Sequence, residues 1–241
     1  MHKGMYVAMS GATLRSRELD TIANNLANAS TIGYKRESFS ASSYSVVARD
    51  MQKAASLYPA ARVMTIDSGK MFVDESPGIM KSTGNPLDLA ISGNGFFAVE
   101  GQGRTLYTRN GVFSLDSEGY LVTAGGQKVL DTGDRPLRIN DGGPVTVSPD
   151  GTVNSGNSPV GKLKVVKVDT PRHVGSSLFS GKEAGDTDGE VLQGTLELSN
   201  VNPVIEMVSI IHAMREYEAA QRIIKNFDEL ASRTVTDIAK V

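Results

Sequence analysis

A glycine-rich segment, Gly93-Asn94-Gly95-Phe96-Phe97-Ala98, has the G-x-G-x-x-A spacing of dinucleotide-binding turns. In that chemistry the glycines let backbone amides approach a pyrophosphate at the start of a helix. The residues that follow, Val99-Glu100-Gly101, continue a strand-like run instead of beginning a helix. The segment is therefore predicted to be a hairpin turn, and no cofactor is expected.

Histidine and carboxylate spacing offers two weak candidates for cation binding. His212 and Glu216 lie four residues apart on a predicted helix, which is half of a metal site, but no second histidine is near in sequence. The segment Asp186-Thr187-Asp188-Gly189-Glu190 is similar to part of a calcium loop, yet its glycine comes early and no glutamate follows at the required distance. We interpret them as a helix-surface pair and a solvated turn, so no metal site is predicted.

Nucleophilic and acid-base catalysis have no convincing motif in the chain. The sequence contains no cysteine, which excludes thiolate chemistry and structural disulfides. It contains no G-x-S-x-G motif, and carboxylates such as Asp67 and Asp74 could meet only through an unproven fold. We expect no catalytic residues and predict that the protein is not an enzyme.

The overall composition excludes further classes of function. The 241 residues include 25 basic and 27 acidic side chains, a formal net charge of −2, whereas nucleic-acid-binding proteins have a basic excess. Hydrophobic residues make up 39% of the chain, which is enough for a sizeable core. The sequence has no run of about 18 apolar residues that could span a membrane, and its first residues lack the apolar segment of a secretory signal. We expect no nucleic-acid partner, no small-molecule substrate and no membrane span.

Hydrophobic periodicity predicts a long amphipathic helix towards each end of the chain. Over Met5–Leu26 apolar residues recur every three or four positions, except where Arg15 interrupts the pattern, and Gly33 suits the left-handed turn after the helix. A longer stripe with the same spacing runs over Val204–Ile238. Asn202 suits its N-cap and Pro203 its first helical position. Such a helix is much longer than a small β-domain needs, so its packing partner is expected elsewhere.

The middle of the chain has the pattern of β-structure. Residues 37–61, rich in serine and alanine, predict a linker, and residues 62–66 and 70–73, on either side of Asp67-Ser68-Gly69, predict a hairpin. Residues 81–190 alternate turn signals with short β-type runs, which indicates an antiparallel β-domain. The predicted organisation is a helix in 1–36, a linker and hairpin in 37–80, a β-domain in 81–190 and a helix in 191–241.

Three asparagines near the end of the first helix, Asn24, Asn25 and Asn28, allow two interpretations. Asparagine is a poor helix former, so the residues could simply mark fraying of the helix end. Alternatively, Asn24 and Asn28 lie four residues apart on one face, where amides inside a helix-helix seam fix the register at some cost in stability. We favour the second interpretation.

Several groups of residues, spread over both ends and the middle of the chain, form a recognisable set. They are Leu19–Asn28 with Thr31, Gly33, Tyr34 and Lys35; Gly84–Ile91 with Gly93, Gly95, Phe96 and Phe97; Tyr107–Gly111 and Gly119–Val122; and Gln193-Gly194, Leu196-Glu197 and Ser199–Asn202. Together they resemble the signatures of the bacterial flagellar rod and hook proteins. Within that family, the modest length and the segment Met1–Ala12 resemble proximal more than distal rod subunits.

The resemblance implies a structural subunit of the flagellar basal-body rod, a periplasmic part of the basal body. It implies an α+β fold in which long N- and C-terminal helices pair as a coiled coil and a central, mostly antiparallel β-domain packs outside them. Such subunits are exported by the flagellar type III apparatus without a Sec signal peptide. They polymerise helically through their terminal helices, build the drive shaft and line the export channel. The implied partners are copies of the same chain, other rod subunits and the export apparatus.

The expected assembly interface consists of residues of the two apolar stripes and the three asparagines near the end of the first helix. Its residues are Leu19, Ile22, Asn24, Asn25, Leu26, Asn28, Val204, Met207, Ile211, Met214, Tyr217, Ile224 and Phe227. Two alternatives stay open, namely a distal rod or hook-type axial subunit, and a β-domain binding module or hydrolase with helical dimerisation arms. The second alternative requires a pocket with convergent polar groups in the β-domain.

Overall fold

The computed structural model describes residues 2–40, 43–46, 63–66, 70–101, 103–139, 143–156 and 158–238. The chain divides into two compact units. The terminal unit comprises residues 1–26, 38–71 and 203–241, and the β unit comprises residues 27–37 and 72–202.

Two long helices are described, α1 (His2–Ala27) and α2 (Pro203–Ile238). α1 is followed by a tight turn, in which the Thr31 amide donates to the Asn28 carbonyl at 3.0 Å and Gly33 has a φ of +66°. α2 begins at Pro203, as the N-cap pattern predicts, because a proline at the first helical position sacrifices no intrahelical hydrogen bond. Neither helix, over its described residues, is apolar enough to cross a membrane.

The strands that the structure describes are short, apart from two. They are β1 (Glu37–Ser40), β2 (Ser43–Val46), β3 (Val63–Ile66), β4 (Lys70–Val73), β5 (Met80–Ser82), β6 (Leu89–Ser92), β7 (Phe96–Glu100), β8 (Thr105–Thr108), β9 (Phe113–Leu115), β10 (Leu121–Thr123), β11 (Val145–Val147), β12 (Thr152–Ser155), β13 (Ser158–Lys162), β14 (Val165–Gly175), β15 (Leu178–Asp186), β16 (Glu190–Gln193) and β17 (Thr195–Glu197).

The coiled coil expected of the terminal helices is wrong as a description of this fold. α1 and α2 do pair, and Arg15 Nε donates to Glu216 Oε2 at 2.8 Å. However, the predicted stripe of α2 is open at its first half, where Val204, Met207, Ile211 and Met214 are 66%, 48%, 51% and 48% exposed. The periodicity of α2 identified an apolar face, but it could not identify what covers that face. A continuous seam of interlocking apolar side chains, which a coiled coil requires, is therefore not shown.

The hairpin expected in residues 62–73 is also wrong. β3 pairs with β2, in the register Ser43↔Ile66 to Val46↔Val63, and β4 pairs with β1. The predicted turn at Asp67-Ser68-Gly69 lies outside the described residues, as does most of the predicted linker. A local turn signal suggested neighbours in sequence as partners, whereas the actual partners lie in the serine-rich segment that precedes them.

The single central β-domain of the prediction is divided into several small antiparallel sheets. β14, β15, β8 and β7 form a closed barrel, whereas the three strands β11-β12-β13 and the pairs β6-β16, β9-β10 and β5-β17 form separate sheets. Glycine turns interrupt the chain every few residues, so most strands are too short to extend one common ladder.

Two apolar clusters form the core of the β unit, and β7 contributes to both. Phe97 and Val99 point into the larger cluster, in which Phe97 packs edge-on against Phe113. Phe96 and Ala98 point into the smaller cluster, which also holds Phe179. Because side chains alternate along a strand, a strand with a core on each face is apolar at every position.

The glycine-rich segment Gly93-Asn94-Gly95 is a turn, but it does not form the predicted hairpin. β6 before it pairs with β16, whereas β7 after it pairs with β8 and β14, so the turn connects two different sheets. Gly93 and Gly95 have φ values of +107° and +132°, which only glycine adopts readily. Since a strand and not a helix follows, the geometry does not match a dinucleotide-binding turn.

Candidate functional site: a buried ionic junction

Three charged residues from distant segments meet inside the β unit. The side chains of Lys35, Arg109 and Glu197 are 1%, 2% and 1% exposed. Lys35 Nζ donates to Glu197 Oε1 at 2.7 Å, and Arg109 Nη1 donates to Glu197 Oε2 at 2.9 Å. Each residue belongs to one of the signature segments, so those segments are joined here. We call these three residues the ionic junction.

Backbone groups satisfy much of the remaining hydrogen-bonding capacity of the junction. Lys35 Nζ also donates to the carbonyl of Ser76 at 2.8 Å, and Arg109 Nη2 donates to the carbonyl of Gly93 at 2.6 Å. Glu197 Oε1 accepts a further hydrogen bond from the Gly78 amide at 2.8 Å. Charges can be buried when they are paired and hydrogen-bonded in this way.

Burial and ion pairing have opposite effects on the pKa of each residue in the junction. Burial lowers the pKa of Lys35 and the pKa of Arg109, because it disfavours their charged forms, although Glu197 acts against this. Burial alone would raise the pKa of Glu197, but the charges of Arg109 and Lys35 outweigh it, so this pKa lies below its ordinary value. The junction holds two cations and one carboxylate, and Glu197 is essential to both ion pairs.

Gly33 permits the closest backbone approach at the junction. Its amide donates to the carbonyl of Glu197 at 2.8 Å, and its φ of +66° is in the left-handed region. A Cβ at this position would lie 2.3 Å from the carbonyl carbon of Arg109 and 2.3 Å from the amide nitrogen of Asn110. A side chain is therefore excluded both by the backbone conformation and by the neighbouring main chain.

Asn200 adds side-chain hydrogen bonds in the same region. Its Nδ2 donates to the carbonyls of Asp74 and Ser76 at 2.9 and 3.0 Å, and its Oδ1 accepts from the Arg36 amide at 2.7 Å. Segments from before, within and after the β-rich part of the chain are thus linked by one side chain.

A second contact joins two more of the signature segments. The Gly194 amide donates to the carbonyl of Asp88 at 2.8 Å, and β16 pairs with β6 from Glu190↔Ser92 to Gln193↔Leu89. Gln193 Nε2 donates to the carbonyl of Pro86 at 2.8 Å. These residues, which are part of the set that carries the family resemblance, therefore hold together segments that are distant in sequence.

The amino-acid sequence contains signals for the ionic junction, but they do not by themselves indicate an ion cluster, and the predicted site residues do not include its members. Glu197 lies between Leu196 and Leu198, and Arg109 follows the strand-like Tyr107-Thr108. A charged residue within an apolar strand pattern indicates a buried charge that needs a partner. Its partner lies far away in sequence, so the pattern alone could not identify it.

The predicted assembly residues fall into classes that differ in exposure. Ile22 and Asn25 of α1 are buried, whereas Asn24 is exposed. Asn24 and Asn28, the two amides predicted to fix the helix register, thus differ in burial. Asn28 is half-buried and lies after the end of α1. The half-buried residues are Leu19, Leu26, Asn28, Tyr217, Ile224 and Phe227, and the exposed ones are Asn24, Val204, Met207, Ile211 and Met214.

One carboxylate from each of the two candidate cation sites forms an ion pair with a basic side chain. Glu216 pairs with Arg15, and Asp188 pairs with Lys167 at 2.9 Å. In the described part of the chain, no group of three histidine, aspartate or glutamate side chains is arranged to hold a metal ion.

A cleft of about 410 Å³ lies in the β unit beside β14 and β15. Lys164 in its wall pairs with Asp134 at 2.8 Å and with Glu183 at 2.9 Å. Lys162 lies 3.7 Å from Asp150. The lysines of the cleft are thus paired with carboxylates of the same unit.

Family models of flagellar axial proteins match three parts of the chain. A model described as "Flagella basal body rod protein" matches residues 5–35, and one described as "Flagellar hook protein FlgE/F/G D1 domain" matches residues 90–155. A third, "Flagellar basal body rod FlgEFG protein C-terminal", matches residues 192–237. Lys35, Arg109 and Glu197 lie one in each matched range, so the junction connects all three.

Curated relatives align with the chain along nearly its whole length. The flagellar basal-body rod protein FlgF of Caulobacter vibrioides is 37% identical, with 100% of both chains covered. FlgF of Escherichia coli is 30% identical, with 97% of both covered, and the rod protein FlgG of Bacillus subtilis is 29% identical, with 98% of both covered. The chain therefore belongs to the flagellar basal-body rod protein family, as a FlgF-like structural subunit of the rod.

Proposed function

We propose that this rod subunit is not catalytic and that it assembles through an exposed apolar face of α2. The carrying observation is the exposure of Val204, Met207, Ile211 and Met214, which lie on successive turns of the helix. A contiguous apolar patch on a soluble protein is typical of a protein-protein interface. We call these four residues the α2 face.

Burial suggests a division of roles among the predicted interface residues. Ile22 and Asn25 are already buried in the single chain, which supports a role in holding α1 in place. The apolar side chains of the α2 face are exposed in the single chain. Burial of this face against neighbouring subunits would provide a hydrophobic driving force for assembly.

The partners proposed for the α2 face are copies of this chain and other rod subunits. We propose a heterologous contact that does not close into a ring, because such a contact generates a helical array. Under this proposal the subunits reach the periplasm through the flagellar export apparatus. The assembled rod then acts as a drive shaft around the export channel.

The test is an aspartate substitution in the α2 face. Ile211→Asp places a charge in the proposed contact and is expected to abolish incorporation into isolated basal bodies and swimming motility. Glu218→Lys, at an exposed polar position of the same helix, is the matched control and is expected to leave both unchanged. Circular dichroism of the purified variants checks that the fold is retained. Normal incorporation of Ile211→Asp would contradict the proposal.

A further inference from the structure

The ionic junction joins segments that lie far apart in the sequence and are therefore synthesised at different times. Arg109 and Glu197 are 88 positions apart, and Lys35 and Glu197 are 162 positions apart. Glu197 therefore comes last, after every residue of the barrel strands and of both apolar clusters. During synthesis of the chain, all barrel strands are therefore completed before Glu197 is added.

A β unit that lacked the segment 190–200 would be incomplete in two ways. β6 and β5 would lose their partners β16 and β17. Lys35 and Arg109 would also lose the carboxylate to which both donate. Two cations would then be buried near each other, which is strongly unfavourable in a medium of low polarity.

Net stability does not explain this arrangement well. Replacing a buried ion cluster by apolar side chains of similar volume is often neutral or stabilising, whereas removing one partner is strongly destabilising. The distinctive property of the cluster is thus dependence of each segment on the others. A pair of buried cations whose hydrogen-bonded carboxylate comes from the segment 190–200 would disfavour a stable native arrangement of the earlier segments alone.

We infer that the ionic junction makes folding of the β unit wait for the segment 190–200. This inference rests on the proposed function, because a subunit that passes through an export channel must stay unfolded until it arrives. Premature folding of the barrel from its own strands would block passage. The requirement for Glu197 keeps the earlier strands unfolded until the segment 190–200 can pair with them.

The order of strand formation in the full chain tests the inference. Refolding from urea is followed by pulsed hydrogen exchange with mass spectrometry, which reports when each strand becomes protected. In the wild-type chain, the amides of β7 and β8 are expected to gain protection in the same kinetic phase as those of β16. Protection of β7 and β8 about tenfold sooner than β16 would overturn the inference.

Two variants separate charge from strand pairing. Glu197→Gln keeps the shape of the side chain and is expected to slow protection of β7 and β8 at least about tenfold. The triple variant Lys35→Met, Arg109→Met, Glu197→Leu removes the charges and is expected to protect β7 and β8 before β16. Lys167→Met, which removes an exposed ion pair, is the control and should refold as the wild type does.

Each outcome is decisive without reference to the rod. An unchanged refolding rate of Glu197→Gln overturns the inference, even if the triple variant does not fold, and so does a triple variant that folds in the wild-type order. These measurements use the purified chain and leave the α2 face intact. Failure of the inference is therefore distinct from failure of the proposed assembly, which only the Ile211→Asp experiment tests.

Discussion

Arg109 Nη1 and Glu197 Oε2 form a 2.9 Å ion pair in which the side chains are 2% and 1% exposed. The pair links the residue that follows β8 to the last residue of β17, and Lys35 joins it from the segment after α1. A structural subunit gains from this arrangement a defined junction at which distant parts of its chain are held together. Replacing a buried ion pair by apolar side chains is often neutral or stabilising, so the pair is weak evidence for added stability.

Removal of the carboxylate is expected to destabilise the β unit severely. Glu197→Gln leaves Lys35 and Arg109 buried without the carboxylate to which both donate, so the free energy of unfolding should fall by about 3–5 kcal/mol. Urea unfolding followed by circular dichroism measures the change. Asp188→Asn removes a carboxylate that is 97% exposed and should cost less than about 1 kcal/mol. Equal losses in the two variants would contradict the role assigned to Glu197.

The stability of the β unit is expected to fall in acid partly through Glu197. Its pKa in the folded protein lies below the ordinary value of 4.5, so its contribution is fully present above that pH. The contribution is lost as the pH falls from 4.5 through the folded pKa, because the unfolded chain binds the proton more readily.

Urea midpoints at a series of pH values test this dependence. Asp74 and Asp131 also have pKa values below normal and contribute to the acid loss in every variant. Wild type should therefore lose stability more steeply below pH 4.5 than Glu197→Gln, which lacks the titrating group. Parallel curves for the two proteins would exclude a contribution from Glu197.

Gly33→Ala should be much more damaging than a matched glycine substitution elsewhere. Gly33 and Gly84 both have positive φ values, +66° and +73°, so alanine is strained at each. Only at Gly33 would the new Cβ meet the backbone of Arg109 and Asn110, because nothing lies within 4 Å of the Cβ position at Gly84. We expect Gly84→Ala to cost about 1–2 kcal/mol and Gly33→Ala to cost several kcal/mol, about 4–5. Thermal unfolding distinguishes the two, and similar losses would refute a clash at Gly33.

Thr170 offers a position where a substitution should increase stability. This exposed residue has a φ of +46°, which is unfavourable for a β-branched side chain and lies in a register shift between β14 and β15. Thr170→Asn replaces it by a residue that tolerates the left-handed region, so stability should rise by about 0.5–1 kcal/mol. Thr152→Asn, at the first position of β12, should instead be destabilising, because asparagine is disfavoured in strands and the hydrogen bond from Thr152 Oγ1 to Asp150 Oδ2 is lost. A loss of stability in Thr170→Asn would show that the threonine side chain makes a compensating contact.

The local sequence determined the helices and the position of many turns. Pro203 begins α2 as expected, and α1 covers the predicted stripe from Met5 to Leu26, because periodicity and capping depend on neighbours within a few residues. Family signatures were likewise visible in short segments, and they led to the correct structural role.

Only the tertiary structure decided which segments became partners. Residues 63–66 pair with residues 43–46 and not with the segment that follows them, and the first half of the predicted stripe on α2 is exposed. Lys35, Arg109 and Glu197 appeared in the sequence as three unrelated charges. Strand pairing and charge compensation join residues that are tens of positions apart, so their free energy depends on the whole fold, and no local pattern contains it.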